Sequence, residues 1–236
     1  MANKTLGISL DGVLRDIHSQ FDIIYRKFFI NNDSLVKADD NFSYLVSEQT
    51  DTNEERIKEL ITAKINLPVT TYDLMNHYHF DSKEDFDNFF QTYAFEVFGM
   101  ASQFPRAFDS ANRLQAFGKG TDLFDTVLLV KGKDKIAQST YHFLGKSGCK
   151  IENVRHVDTD AEKWNYCDVL IDDSPESFEN KPDGKISIII SKEYNAYSTA
   201  DYSFDNISAV FGELFLIKVF HPEKYEEIKS KQEKKD

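Results

Sequence analysis

Apolar positions follow two rhythms along this chain. Near the N-terminus and after Gly120 they form short continuous runs, at Thr5 to Asp11, Thr126 to Val130, Glu152 to Val157, Asp168 to Ile171 and Ile186 to Ile190. Runs of this length between turn residues suit strands buried on both faces. Helical spacing separates them: Asp134 to Leu144 reads as a helix ending near Gly145 and Gly148. Strands alternating with helices predict a parallel, doubly wound α/β sheet of five strands. Ile207 to Phe220 adds an apolar helix stopped by Pro222, and the charged segment beyond it reads as a solvated helix or tail.

The first strand is parted from the second by residues 16–120, where the rhythm is helical. Asp16 to Phe29 places Ile17, Phe21, Ile24 and Phe28 on one face. Asn31 to Asp51 is polar with scattered aromatics and reads as a loop. Thr52-x-x-Glu55 is a capping-box signal for a helix through Lys64, interrupted by Pro68. Ser82-x-x-Asp85 opens a stronger helix whose stripe of Phe86, Phe89, Phe90, Tyr93, Val97 and Phe98 predicts core packing. A further helix runs from Arg106 to Phe117, closed by Gly118 and Gly120. The division that follows is an α/β core of residues 1–15 and 121–236, with a helical cap of residues 16–120.

Composition narrows the function. The chain has 236 residues, 41% of them hydrophobic, which is enough for a sizeable core. Its formal charge of -12 argues against a nucleic-acid binder and against docking on an anionic membrane. Cys149 and Cys167 form no CxxC pair and read as buried thiols of a reducing compartment. The N-terminal residues lack a signal-peptide apolar region, and no apolar run is long enough to span a bilayer. A cytoplasmic or other intracellular protein is the expectation.

Chemistry concentrates where the first strand ends. Gly7-Ile8-Ser9-Leu10-Asp11-Gly12-Val13-Leu14-Arg15-Asp16 resembles motif I of the haloacid dehalogenase (HAD) superfamily, Asp-x-Asp-Gly, with Ser9 in place of the first Asp. Val169-Leu170-Ile171-Asp172-Asp173-Ser174-Pro175 resembles the same family's motif IV. The Asp-Gly-Val-Leu-x-Asp form is most similar to the 5'(3')-deoxyribonucleotidase branch, several members of which occur in bacteriophages, so a virion location is open. The resemblance implies a Rossmann-like HAD core with a helical cap inserted after strand 1. It also implies that the missing Asp was the nucleophile and a magnesium ligand, while Asp11 would protonate the leaving group. Motif II places Ser or Thr where this chain has Lys131, and Lys163 fits the motif III lysine ahead of Lys146 and Lys150.

The two departures can be weighed as charge. Asp to Ser at position 9 and Ser/Thr to Lys at position 131 together add two positive units, the charge of a magnesium ion. Lys131 is therefore expected among Asp11, Asp172 and Asp173 as an internal counter-ion, because unpaired buried carboxylates are costly. A retained metal would sit on Asp11, Asp172 and Asp173, but none is expected, and magnesium enters only if the chain is a phosphatase. No histidine is placed to activate Ser9. The vestigial site is thus Ser9, Asp11, Lys131, Lys163, Asp172 and Asp173, with no catalytic residue expected. The expected function is a catalytically inactive binding or structural component with a protein partner or homo-oligomer. A phosphatase with atypical or residual activity and a phosphorylated-ligand sensor are the alternatives. The expected partner surface is the aromatic-rich cap or the C-terminal helices, not the old cleft.

Overall fold

The computed structural model describes residues 4–27, 61–64 and 66–233. Eight strands form among them: β1 Lys4–Ser9, β2 Arg15–Asp16, β3 Ser102–Gln103, β4 Phe124–Lys131, β5 Val154–Val157, β6 Val169–Asp172, β7 Ile186–Ile190 and β8 Tyr202–Phe204. Six of these make one sheet in the order β5-β4-β1-β6-β7-β8, with every neighbouring pair parallel. The sheet therefore has one strand more than the pattern predicts. The addition is β8, where Tyr202-Ser203-Phe204 lies between Asp201 and Asp205 and shows no apolar run. It pairs on one side only, so its sequence need not be apolar throughout.

Strand direction of travel reverses at β1, with β4 and β5 on one side and β6, β7 and β8 on the other. Such a reversal opens a crevice at the carboxyl ends of the strands. Period-two alternation sorts the buried side chains to two faces. Leu6, Ile8, Leu128, Val130, Val169 and Ile171 share one core cluster, while Val127, Leu129, Trp164, Cys167 and Leu170 form another.

The main helices are α1 Ile17–Tyr25, α2 Lys83–Thr92, α3 Ala107–Thr121, α4 Asp134–Ser147, α5 Pro175–Glu179, α6 Ile207–Val210, α7 Glu213–Phe220 and α8 Pro222–Glu233. Helix α3 runs through Gly118 and Gly120 instead of stopping there. Gly118 serves packing: a Cβ on it would come within 2.5 Å of the Phe124 ring. The stop is Asp122, in the left-handed conformation at φ 53°. The expected helix from Ile207 to Phe220 is broken, because Phe211 is extended and Gly212 begins α7. Pro222 opens α8, which is a solvated helix with no buried residue.

The insertion leaves and re-enters the core through one narrow stem. β2 and β3 pair antiparallel, and Phe104 N–H donates to Leu14 O at 3.0 Å. Asp16 caps α1 by accepting from Ser19 N–H at 3.1 Å. Ser82 caps α2 in the same way, accepting from Asp85 N–H at 3.1 Å. Beyond Thr92 the predicted stripe continues into a π-turn, Phe95–Gly99. The insertion carries its own apolar cluster, in which Phe21, Tyr25, Tyr78, Phe89 and Phe98 are buried. Helix α3, inside the sequence boundary drawn for the cap, packs Ala107, Phe108, Ala111 and Leu114 into the sheet's cluster. Phe28, the polar loop and the Thr52 capping box lie outside the described residues. Cys167 is buried and Cys149 half-buried, both as free thiols.

Candidate functional site

Strand ends and the loops after them bring the expected residues to one place. Ser9, Asp11, Lys131, Lys163 and Asp173 line a cavity of about 710 Å³ between the sheet's carboxyl edge and the insertion. Asp172 lies beneath its floor, fully buried. Lys146, by contrast, sits in the last turn of α4 over the Phe143 ring, and Lys150 is exposed.

Lys131 does not join Asp11, Asp172 and Asp173 as the charge argument expected. Its Nζ lies 2.6 Å from Asp160 Oδ2 and 3.6 Å from Glu176 Oε2. Strand order supplies the reason. Lys131 ends β4 and Asp160 follows its neighbour β5, whereas Asp172 ends β6, two strands away. Lys163 is the counter-ion instead. It is buried in the one-turn helix Ala161–Asn165, with its Nζ 2.7 Å from Asp172 and 2.6 Å from Asp160. Burial alone would lower its pKa, but the carboxylates of Asp172 and Asp160 outweigh burial and raise it. Asp160 is the converse case: burial pushes its pKa up, and Lys163 with Lys131 brings it below the usual range. Asp160 was missed in the sequence, although it stands three residues before Lys163, one helical turn away.

Arg15 was missed as well, although it follows Asp11 by four residues inside the motif. It is fully buried and grips Asp11 through two bonds, Nε to Oδ1 at 2.6 Å and Nη2 to Oδ2 at 3.0 Å. Its Nη1 donates to Phe98 O at 3.0 Å and Thr140 Oγ1 at 3.1 Å. The guanidinium lies 5.2 Å and 5.1 Å from the Phe98 and Phe143 ring centres. Both oxygens of Asp11 are thus taken by a cation that also ties the insertion to α4.

The motif IV carboxylates are equally committed. Asp172 accepts from Lys163 Nζ, Ser177 Oγ and the backbone N–H of Asp173. Asp173 accepts from the Tyr194 hydroxyl and packs against Gly12, where a Cβ would overlap Oδ2. Gly12 has φ +73°, so close approach and backbone geometry both require glycine. Burial, with the neighbouring Asp172 adding to it, pushes the Asp173 carboxyl up to about 8. Tyr194 stacks on His18 at 5.1 Å and neighbours Tyr72 at 5.9 Å, so aromatic rings from core and insertion close over Asp173. Burial lowers the His18 pKa, against the pull of Asp16 and Asp11. The insertion's Phe86, Phe90 and Phe98 also face the cavity, so the stripe expected only to pack serves as a wall as well.

This arrangement does not fit a magnesium ion of the kind the motif resemblance implies. Hard cations need several convergent oxygens. Here Ser9 contributes a hydroxyl, Asp11 is clamped by Arg15, and Asp173 is covered by Tyr194 and Gly12. Among the described residues no group of three or more His, Cys, Asp or Glu side chains is placed to hold a metal. The charges balance without one. Arg15, Lys131 and Lys163 oppose Asp11, Asp160 and Asp172, and Asp173 keeps its proton at neutral pH.

Solved structures of HAD hydrolases share the fold. YfnB of Bacillus subtilis, solved bound to magnesium, is 14% identical, with 89% of this chain and 97% of that one covered at a TM-score of 0.52. CbbY from Rhodobacter sphaeroides, solved with phosphate, is 12% identical over 91% and 99%, TM-score 0.53. A family IA HAD hydrolase from Entamoeba histolytica is 10% identical over 92% and 99%, TM-score 0.51. No family model and no curated protein sequence matches the chain. The fold is accordingly the Rossmann-like α/β fold of HAD hydrolases, with six parallel strands. Among the described residues no helix is long and apolar enough to cross a membrane.

Proposed function

We propose that this chain is a HAD-fold protein without phosphotransfer activity, and that it acts by binding. The observation that carries the reading is the double block at motif I. Ser9 offers no carboxylate, and Asp11, the next acidic group, is held at both oxygens by buried Arg15. Groups that act as a catalytic unit lose several orders of magnitude in rate when one member goes. Serine is a poor replacement because no base reaches it. Its Oγ is buried with no hydrogen-bond partner, and the His18 ring stacks on Tyr194 instead.

Two modes of binding remain: a protein partner or second copy on the outer surface, and a ligand in the cavity. The aromatics of the described insertion favour the second. Phe89 and Tyr78 are spent on the insertion's own core and Phe86 and Phe90 on the cavity wall, while Ile23, Leu67, Phe95 and Met100 are the exposed large side chains.

The resemblance to the deoxyribonucleotidase branch, bacteriophage members included, chooses the test substrates. With 5'- and 3'-deoxynucleoside monophosphates and magnesium, phosphate release should stay at background. Metal-dependent turnover that Ser9→Ala abolishes would overturn the reading and restore the phosphatase alternative.

A further inference from the structure

We propose that the cavity between insertion and sheet receives an uncharged molecule, with an aromatic or hydrocarbon body and one hydrogen-bonding head, in place of a phosphorylated one. This rests on the reading that the site does no phosphotransfer, and adds the class of ligand.

Charge is the first argument. Seven acidic side chains, protonated Asp173 among them, and four lysines line the cavity among the described residues. Each of those lysines already has an acidic partner. Lys131 and Lys163 share Asp160, Lys133 pairs with Asp158, and Lys83 pairs with Asp87 at 3.2 Å. A phosphate dianion would have to break one of the deep pairs and then face the carboxylates it released. At the strand ends, Leu10, Gly12 and Gly132 spend their backbone N–H groups on the carbonyls of Leu129, Arg15 and Val157. An organic cation meets the converse obstacle, since the deep acids already have partners: Asp11 is held by Arg15, Asp160 by Lys131 and Lys163, and Asp173 by the Tyr194 hydroxyl.

Shape and polarity are the second argument. A volume of about 710 Å³ lies within the range of small-molecule sites. The insertion side presents Phe86, Phe90, Phe98, Ile17 and Leu74, and Ile136 and Leu129 continue the apolar surface onto the core. Two buried polar atoms on the lining have no partner, Ser9 Oγ and His18 Nδ1. Ser9 is 1% exposed, lines the cavity and has a hydroxyl without a partner. Such a group is costly unless something completes its hydrogen bond. A hydroxyl, carbonyl or amide head seated at Ser9 would complete it and bring no charge.

Three probes that share a ring system and differ in head charge test this on the full chain at pH 7: 2-(1-naphthyl)ethanol, 2-(1-naphthyl)ethylamine and 1-naphthyl phosphate. Binding is read by thermal shift and by ligand-observed NMR. The alcohol should saturate with a Kd near or below about 1 mM, at least tenfold tighter than either charged probe. Ser9→Ala removes only an unpartnered hydroxyl, so the protein should stay folded and bind the alcohol about fivefold more weakly. Phe90→Leu should weaken it as well without opening a large cavity. Tightest binding of the phosphate or the amine, no saturation by any probe, or alcohol binding untouched by both variants would overturn the proposal. Release of 1-naphthol from the phosphate in the presence of magnesium would instead overturn the absence of phosphotransfer, so the two failures are separable.

Discussion

Replacing Asp173 with asparagine should remove a pH dependence from the stability of this protein. Asp173 is 3% exposed and lies beside Asp172, and burial with that neighbour pushes its carboxyl up to about 8. In the unfolded chain it titrates near the ordinary aspartate value of about 3.9. Between those two values the native protein holds a proton that the unfolded chain has lost. Folding takes up a proton across that window, so the contribution of Asp173 to stability is largest below about pH 4, declines as pH rises and levels off above about pH 8. The slope from one such group is about 1.4 kcal/mol per pH unit. The asparagine side chain is a near-isostere of the protonated acid and would still accept from Tyr194, but it has no proton to lose. The difference in unfolding free energy, variant minus wild type, should therefore rise by about 1.4 kcal/mol between pH 6 and pH 7. Urea unfolding at half-unit steps from pH 5 to pH 9 measures this, with a constant m-value as the check that unfolding stays comparable. Other titrating groups are common to both proteins and cancel in the difference. Parallel curves would mean that Asp173 is already ionised at pH 5, and the neutral balance of charge at the site would be wrong.

Other substitutions separate the roles of the remaining groups. Lys163→Met should cost about 3–5 kcal/mol in urea unfolding, because it removes the only cation on buried Asp172 among the described residues and leaves Asp160 with Lys131 alone. Lys131→Met should cost under about 1 kcal/mol, since its side chain is 42% exposed and Lys163 still holds Asp160. Equal costs would contradict the assignment of Lys163 as the counter-ion. Arg15→Met should cost about 3–5 kcal/mol by the same reasoning as Lys163, with hydrogen exchange rising at the π-turn that Arg15 ties down. Gly12→Ala combines a positive φ with overlap on Asp173, so soluble yield and melting temperature should both fall; a variant as stable as wild type would show that the carboxylate moves freely. Ser9→Asp should gain no phosphatase activity with magnesium, because Arg15 and Tyr194 still occupy Asp11 and Asp173.

What the chain made legible, and what it hid, follow from how far apart the interacting residues lie. The strands were readable because a strand buried on both faces must be a continuous apolar run, and β1, β4, β6 and β7 are such runs. The site segments were readable because a parallel sheet sends its strand ends to one edge whatever the strand order. Ionic partners depend on strand order, and there the reading failed. The charge pattern points Lys131 to Asp11, Asp172 and Asp173, whereas β5, with Asp160 after it, lies beside β4 and β6 does not. Ser9 and Asp11 are spaced as a motif prescribes, yet the group that decides the state of Asp11 is Arg15, four residues along and easily taken for a surface charge. Tyr194 stands 21 residues beyond Asp173 and carries no local signal. A substitution at a nucleophile position therefore does not leave the surrounding site open. Once the carboxylate at position 9 is gone, each remaining buried acid needs its own partner, and here lysine, arginine, serine and tyrosine supply them. A site settled in that way resists simple reversion, and a ligand can use it only where a polar atom is still unpaired, as at Ser9 Oγ and His18 Nδ1.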